Sequence, residues 1–148
     1  MILSAQSIRE RREMINPFAE RTVEQGLTYG LGPAGYDIRV DRDVLLWPLG
    51  WANVDSVEWF DIPTDVKPNV QDKSTWARLG VRVGNTTMEP GWRGYLRIEL
   101  TNHRWWFRRI RRGMPIAQVE FNLLDHPTNQ PYKGLYQDQP KGQDAIFA

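Results

Sequence analysis

Two groups of residues in this chain have types that could do chemistry. The first is a carboxylate, Glu99, placed inside the apolar run Tyr95-Leu96-Arg97-Ile98-Glu99-Leu100. Strand alternation puts Tyr95, Arg97 and Glu99 on one face and Leu96, Ile98 and Leu100 on the other. Glutamate is a poor strand former, so its place there asks for a reason. One reading is a partly enclosed general base, its pKa lifted toward neutrality where proton shuttling is efficient. The other is a solvent-facing carboxylate beside Arg97. The second group lies upstream, in Lys73-Ser74-Thr75-Trp76-Ala77-Arg78. Lys73 and Arg78 can neutralise phosphate oxygens, the Ser74 and Thr75 hydroxyls can donate to them, and Ala77 leaves room for close approach. The competing reading is a polar turn leading into a strand at Leu79. It is not a Walker loop, because the preceding glycines are missing. Together the two groups suggest an enzyme acting on a phosphorylated small molecule.

These residues need elements to hold them. Ser4 to Arg12 reads as a short N-terminal helix, with Ser4 as its cap. The segment from Gly26 to Gly35 holds four glycines and Pro33 and reads as a loop. Residues 36–40, 45–47, 54–62, 79–84, 95–100 and 116–121 read as strands, several with strict alternation. Short strands punctuated by ten prolines and twelve glycines argue for an all-β sandwich or barrel in one domain, residues 1–148. The C-terminal stretch is polar, and from about residue 137 it is expected to be mobile unless a ligand or neighbouring subunit orders it.

Composition narrows the function classes. The chain has 148 residues, 41% of them apolar, which suits a packed core. A net charge of +1 supplies no global attraction to nucleic acid or anionic membrane. Nothing reads as a signal peptide or spanning helix, so a cytoplasmic protein is the expectation. There is no cysteine, which excludes disulfides, thiolate metal sites and a cysteine nucleophile. The two histidines, His103 and His126, do not form a helical zinc motif. Zinc nucleobase deaminases need a His/Cys/Cys cluster, so any deamination here proceeds without zinc. Residues 104–112 hold five arginines around Trp105, Trp106 and Phe107. Such a mix can bind single-stranded nucleic acid, but the near-neutral total charge favours aromatics packed inside or at a subunit contact.

The chain resembles the dCTP deaminases of the trimeric dUTPase superfamily. The resemblance is carried, in family order, by Met1-Ile2-Leu3-Ser4, Gly32-Pro33-Ala34-Gly35-Tyr36-Asp37-Ile38-Arg39, Lys73-Ser74-Thr75-Trp76-Ala77-Arg78-Leu79-Gly80 and Glu89-Pro90-Gly91-Trp92-Arg93-Gly94. Ile98-Glu99-Leu100-Thr101-Asn102, Gly113-Met114-Pro115-Ile116-Ala117-Gln118 and Tyr136-Gln137-Asp138-Gln139 continue it. It implies an all-β, distorted jelly-roll or barrel of the dUTPase-like type, assembled as a homotrimer with shared active sites. It implies zinc-free deamination of dCTP to dUTP, with Mg²⁺ riding on the triphosphate and no metal ligand from the protein.

By position, Glu99 would be the catalytic acid/base, with Ser74 and Arg78 at the reacting centre and the phosphates. Lys73, Thr75, Trp76 and Ala77 would complete the cradle. Glu89 would approach the deoxyribose 3′-hydroxyl, backbone groups of Arg97, Ile98 and Glu99 would read the base, and Tyr132 and Gln139 would close over a dCTP-, dUTP- or dTTP-type nucleotide. Trp92 and Glu99 favour the deaminase over its dUTPase relatives. A dUTP diphosphatase, alone or as a second activity, stays open, as does a non-catalytic binding protein on the same fold. The chain departs from the family pattern at Glu89, where Asp is usual, at Leu135, where Lys is usual, and in a shorter loop over residues 84–88.

Overall fold

The computed structural model describes residues 1–84 and 86–147. The elements run α1 (Ala5–Glu10), a 3-10 turn (Arg12–Met14), β1 (Ile15–Asn16), β2 (Thr22–Glu24), β3 (Leu27–Gly32), β4 (Gly35–Arg39), β5 (Val44–Leu46), β6 (Trp51–Asp61) and β7 (Val66–Asp72). Then follow α2 (Ser74–Arg78), β8 (Val81–Val83), β9 (Arg93–Asn102), β10 (Arg108–Ile110) and β11 (Pro115–Leu123). The expected all-β architecture is present, curled in the manner of a jelly roll. None of the described helices is long and apolar enough to cross a membrane.

Strands order as β1-β6-β9-β8 in one sheet, β2-β3-β4-β11-β7 in a second and β10-β5 in a small ribbon. Their inner faces share one apolar cluster. Val54 and Phe60 of β6 and Leu96, Ile98 and Leu100 of β9 meet Tyr36 and Ile38 of β4 and Val119 and Phe121 of β11. Each such side chain contributes about 1.5–3 kcal/mol when fully buried. The alternation read from sequence for β9 is the one observed: residues 96, 98 and 100 are buried, while 95, 97 and 99 turn to the opposite face.

Two expectations about local structure are corrected, and one strand was not anticipated. The glycine-rich segment is not a loop. It forms β3, which pairs with β4 through Gly30↔Asp37 and Leu31↔Tyr36. Gly30 is needed there because its φ is +84° and a Cβ would lie 2.5 Å from the Glu20 carbonyl. Residues 74–78 form a helix rather than a turn. Trp76 draws it inward, buried and donating its indole N–H to the Pro115 carbonyl at 2.7 Å. β7 went unread because Pro68 interrupts it, yet it forms an edge strand, where a missing N–H is tolerated.

One buried ion pair ties the two sheets. A bulge in β6 between Asp55 and Trp59 turns Glu58 inward. Its carboxylate accepts from the Arg39 backbone N–H at 3.0 Å and from Arg39 Nε at 2.8 Å. Burial pushes this carboxyl above the ordinary value despite those bonds.

Candidate active site

β6 and β9 lie side by side, with Asn53 opposite Glu99 and Asp55 opposite Arg97. The face they turn away from the core is the floor of a pocket of about 720 Å³. Its walls come from Thr86–Glu89 on one side and from the C-terminal segment on the other. Of the residues singled out in sequence, Glu89, Arg97, Glu99, Tyr132 and Gln139 line this one space, together with Trp92.

Glu99 is exposed to the pocket, and among the described residues its carboxylate has no hydrogen bond or ion pair. Gly84 lies directly against it. The Gly84 N–H donates to the Glu99 carbonyl at 2.7 Å, and a Cβ on Gly84 would sit 2.7 Å from Oε2. A side chain at this position would have to push the Glu99 carboxylate aside. Alternation turns the peptide groups of Tyr95, Arg97 and Glu99 to the edge of β9 away from β6. Gln139 covers Tyr95, accepting from its N–H at 3.0 Å and donating Nε2 to its carbonyl at 2.8 Å. Gly84 covers the Glu99 carbonyl. The peptide groups of Arg97 stand between them on the pocket edge.

The C-terminal segment, expected to be mobile from about residue 137 unless a ligand or neighbouring subunit orders it, makes several hydrogen bonds to the body of the domain. Trp92 donates to the Tyr136 carbonyl at 2.7 Å, and Gln137 donates to the Gly91 carbonyl at 2.8 Å. Arg93 pairs with Asp138. Further on, the Gly142 N–H reaches Asp55 Oδ2 at 2.8 Å, and Asp144 meets Arg97 at 3.2 Å. Arg97 also holds Asp55 at 3.0 Å. Asn53 Oδ1, Asp55 Oδ1, Asp41 Oδ1 and Arg97 Nε are buried without a hydrogen-bond partner among the described residues. Of these residues Asn53 and Arg97 line the pocket, so the floor beside Glu99 keeps donor and acceptor capacity in reserve.

Asn53, Asp55 and Asp144 were missed in sequence. The signal was polar residues at alternating positions of a strand whose other face is core, and β6 carries it as Asn53, Asp55.

The phosphate-type residues are elsewhere. Lys73, Ser74, Thr75, Trp76, Ala77 and Arg78 do not line the pocket. Ser74, Thr75 and Arg78 are exposed on α2. Lys73 is mostly enclosed, its Nζ 2.5 Å from Asp37 Oδ2 and 3.4 Å from Thr28. Ile98 is in the core, its side chain on the opposite face of β9 from Glu99. Glu89 is held at the rim by Lys67 at 3.2 Å. The pocket thus shows three carboxylates, Glu89, Glu99 and Asp144, and one cation, Arg97, already engaged with two carboxylates. By itself this wall would repel a polyanion.

Residues 43–124 match a family described as dCTP deaminase-like. The curated dCTP deaminase of Acidobacterium capsulatum is 32% identical, covering 93% of this chain and 94% of its own length. That of Campylobacter lari is 35% identical, covering 85% and 86%. Among solved structures, the 2′-deoxycytidine 5′-triphosphate deaminase of Agrobacterium tumefaciens superposes with a TM-score of 0.68 at 18% identity, over 82% of this chain and 47% of the other. The chain therefore spans about half the length of that neighbour. The EIAV dUTPase superposes at 0.57 with 19% identity, over 68% and 84%. A mutant dUTPase of a Staphylococcus aureus phage, described as coordinating a structural Mg(II) ion, superposes at 0.60 with 17% identity, over 82% and 97%. At such identities the structural likenesses concern the fold.

Proposed function

The chain belongs to the dCTP deaminase-like family, and from that premise we propose that it hydrolyses dCTP to dUTP and ammonia without zinc. The observation that carries this reading is Glu99, a carboxylate without a partner among the described residues, in a nucleotide-sized pocket next to the open peptide edge of Arg97. Glu99 takes a proton from water as the water oxygen bonds to C4 of cytosine. The proton then passes to the exocyclic nitrogen, the C4–N bond breaks, and ammonia leaves. Transfer of the remaining hydroxyl proton to N3 gives the C4 carbonyl and N3–H of uracil. Base recognition falls to the backbone groups of Arg97 at the open edge of β9, flanked by Ile98, whose peptide groups face β6, and by Glu99, whose carbonyl Gly84 already holds, and Glu89 meets the deoxyribose. Tyr132 and Gln139 border the space from the tail side.

The triphosphate, carried as its Mg²⁺ complex, needs cations, and Arg97 in this pocket is already engaged by two carboxylates. Arg78 on α2 offers a cation free of ion pairs among the described residues, and Ser74 and Thr75 offer hydroxyl donors, but they do not line the pocket. A second copy supplying its α2 to the pocket of the first resolves the mismatch, and that is the reason to propose a homotrimer with shared sites. Trp76 and Ala77 hold the α2 backbone in place. Lys73 anchors its start through Asp37 and adds its charge from there.

A second reading, dUTP diphosphatase activity, is favoured by the dUTPase folds among the structural neighbours. One assay separates the two. Purified protein is incubated with Mg²⁺ and dCTP or dUTP, and ammonia and pyrophosphate are followed. Ammonia from dCTP supports the deaminase, pyrophosphate from dUTP supports the second activity, and neither product rejects both.

A further inference from the structure

The most conspicuous feature outside the pocket is the ribbon formed by β5 and β10 with the turn leading into it. Trp105 is 77% exposed, Trp106 50%, Phe107 48% and Trp47 65%. These rings are displayed by a built scaffold. Buried Asn102 donates to the carbonyls of Trp47 and Trp106 at 3.0 and 2.8 Å, and its own oxygen accepts from the Arg104 N–H at 3.1 Å. Trp47 packs on Phe107 with centroids 4.8 Å apart. Arg104 and Arg108 each lie over the Trp106 ring, at 5.7 and 5.6 Å. Arg109, Arg111 and Arg112 are exposed beside them. None of these five guanidiniums forms an ion pair among the described residues, although the chain as a whole is nearly neutral.

We propose that this ribbon binds single-stranded nucleic acid, the exposed indoles stacking on bases and the unpaired arginines meeting the phosphates. Every base offers a π-face, so aromatic platforms flanked by cations hold single strands with little sequence preference. The scaffolded turn means that little conformational freedom is lost on binding. A second copy of this chain fits the same surface less well. Trp and Arg are also enriched at subunit contacts, but five like charges brought to a symmetric contact would need a matching set of carboxylates, whereas a polyanion supplies the neutralising charge itself. The proposal is independent of the deaminase reading, since none of these residues lines the pocket.

The test is fluorescence anisotropy of a labelled dT20 oligonucleotide, with the full chain, at rising salt. Binding is expected at 50 mM NaCl. With three or four phosphates contacted at a slope of about −0.7 each, affinity should fall roughly 20- to 50-fold by 200 mM. Trp105→Ala with Trp106→Ala should weaken binding about tenfold or more, and Arg109→Glu with Arg111→Glu should abolish it. dCTP should not compete, and deamination should be unchanged in both double variants. No binding at low salt overturns the proposal. So does binding that both double variants retain, displacement by dCTP, or equal affinity for a duplex of the same length, which would mean phosphate contact without stacking. A change of oligomeric state in the variants, read by light scattering, would assign the ribbon to a subunit contact instead and equally overturn it.

Discussion

Replacing Glu99 by Gln separates chemistry from everything else the residue could do. The side chain is exposed and has no bonded partner among the described residues, so the folded state should keep its stability to within about 0.5 kcal/mol. Gln has the same shape, and Gly84 leaves it the same space. Nucleotide affinity should hold or rise slightly, because one of three carboxylates facing an anionic ligand is gone. What disappears is the proton carrier. Positioned acid–base catalysis contributes about 10²- to 10⁴-fold, or roughly 2.7–5.5 kcal/mol of barrier at about 1.36 kcal/mol per tenfold. Ammonia release from saturating dCTP should fall by that factor, while the urea midpoint and the dissociation constant for dCTP stay put. Gly84→Ala probes the same carboxylate from behind. Its Cβ would press on Oε2 at 2.7 Å, and a displacement near 1 Å can cost about 10²-fold in rate. Turnover of the Gln variant within threefold of the parent would refute the role of Glu99. Unfolding of that variant would refute the claim that the residue is free of structural duty.

Other outcomes follow from the same structure. Arg78→Ala removes an exposed cation that forms no ion pair among the described residues, so stability should not move, while KM for dCTP rises about tenfold or more, since hydrogen bonds to charged groups are worth roughly 1.5–3 kcal/mol; an unchanged KM would detach α2 from the site. Glu58→Gln strips the buried charge that faces the partly enclosed Arg39 and should cost about 3 kcal/mol in urea unfolding. The pH dependence has a definite sign. A carboxyl whose folded pKa lies above its unfolded value contributes stability that is fully present below about 4.3 and is lost as pH climbs through the raised value. The Gln variant should lack that slope as pH rises above about 4.3. Gln139→Ala deletes a bond worth about 1 kcal/mol to Tyr95 and should speed limited proteolysis of the C-terminal segment; unaltered cleavage would show that the tail is held elsewhere.

Much of the β architecture was legible because a strand with one buried face must alternate. β9 shows this most clearly, and its alternation also located Glu99 on the face away from the core. Legibility failed where long-range contacts override local preference. The glycines of β3 look like a loop until β4 supplies their hydrogen bonds and Ala19 and Glu20 approach too closely for a side chain. α2 is only five residues long, too short to be stable by propensity. It exists because Trp76 finds the interior and the Pro115 carbonyl. The Asp55–Arg97 pair was invisible for another reason: its partners, Gly142 and Asp144, lie far along the chain.

From the sequence alone came the family, the mainly β fold, the absence of thiolate chemistry, and the residue types an acid–base site and a phosphate cradle require. These are properties of local order and composition, and they survive without coordinates. Tertiary structure decided which of those residues share a space. Glu99, Arg97, Glu89, Tyr132 and Gln139 converge on one pocket, while the α2 residues stand apart from it and Lys73 is engaged by Asp37. Convergence depends on strand register and on the path of the tail. Both are set by burial and hydrogen bonds between residues distant in sequence, so neither could be read from any one segment.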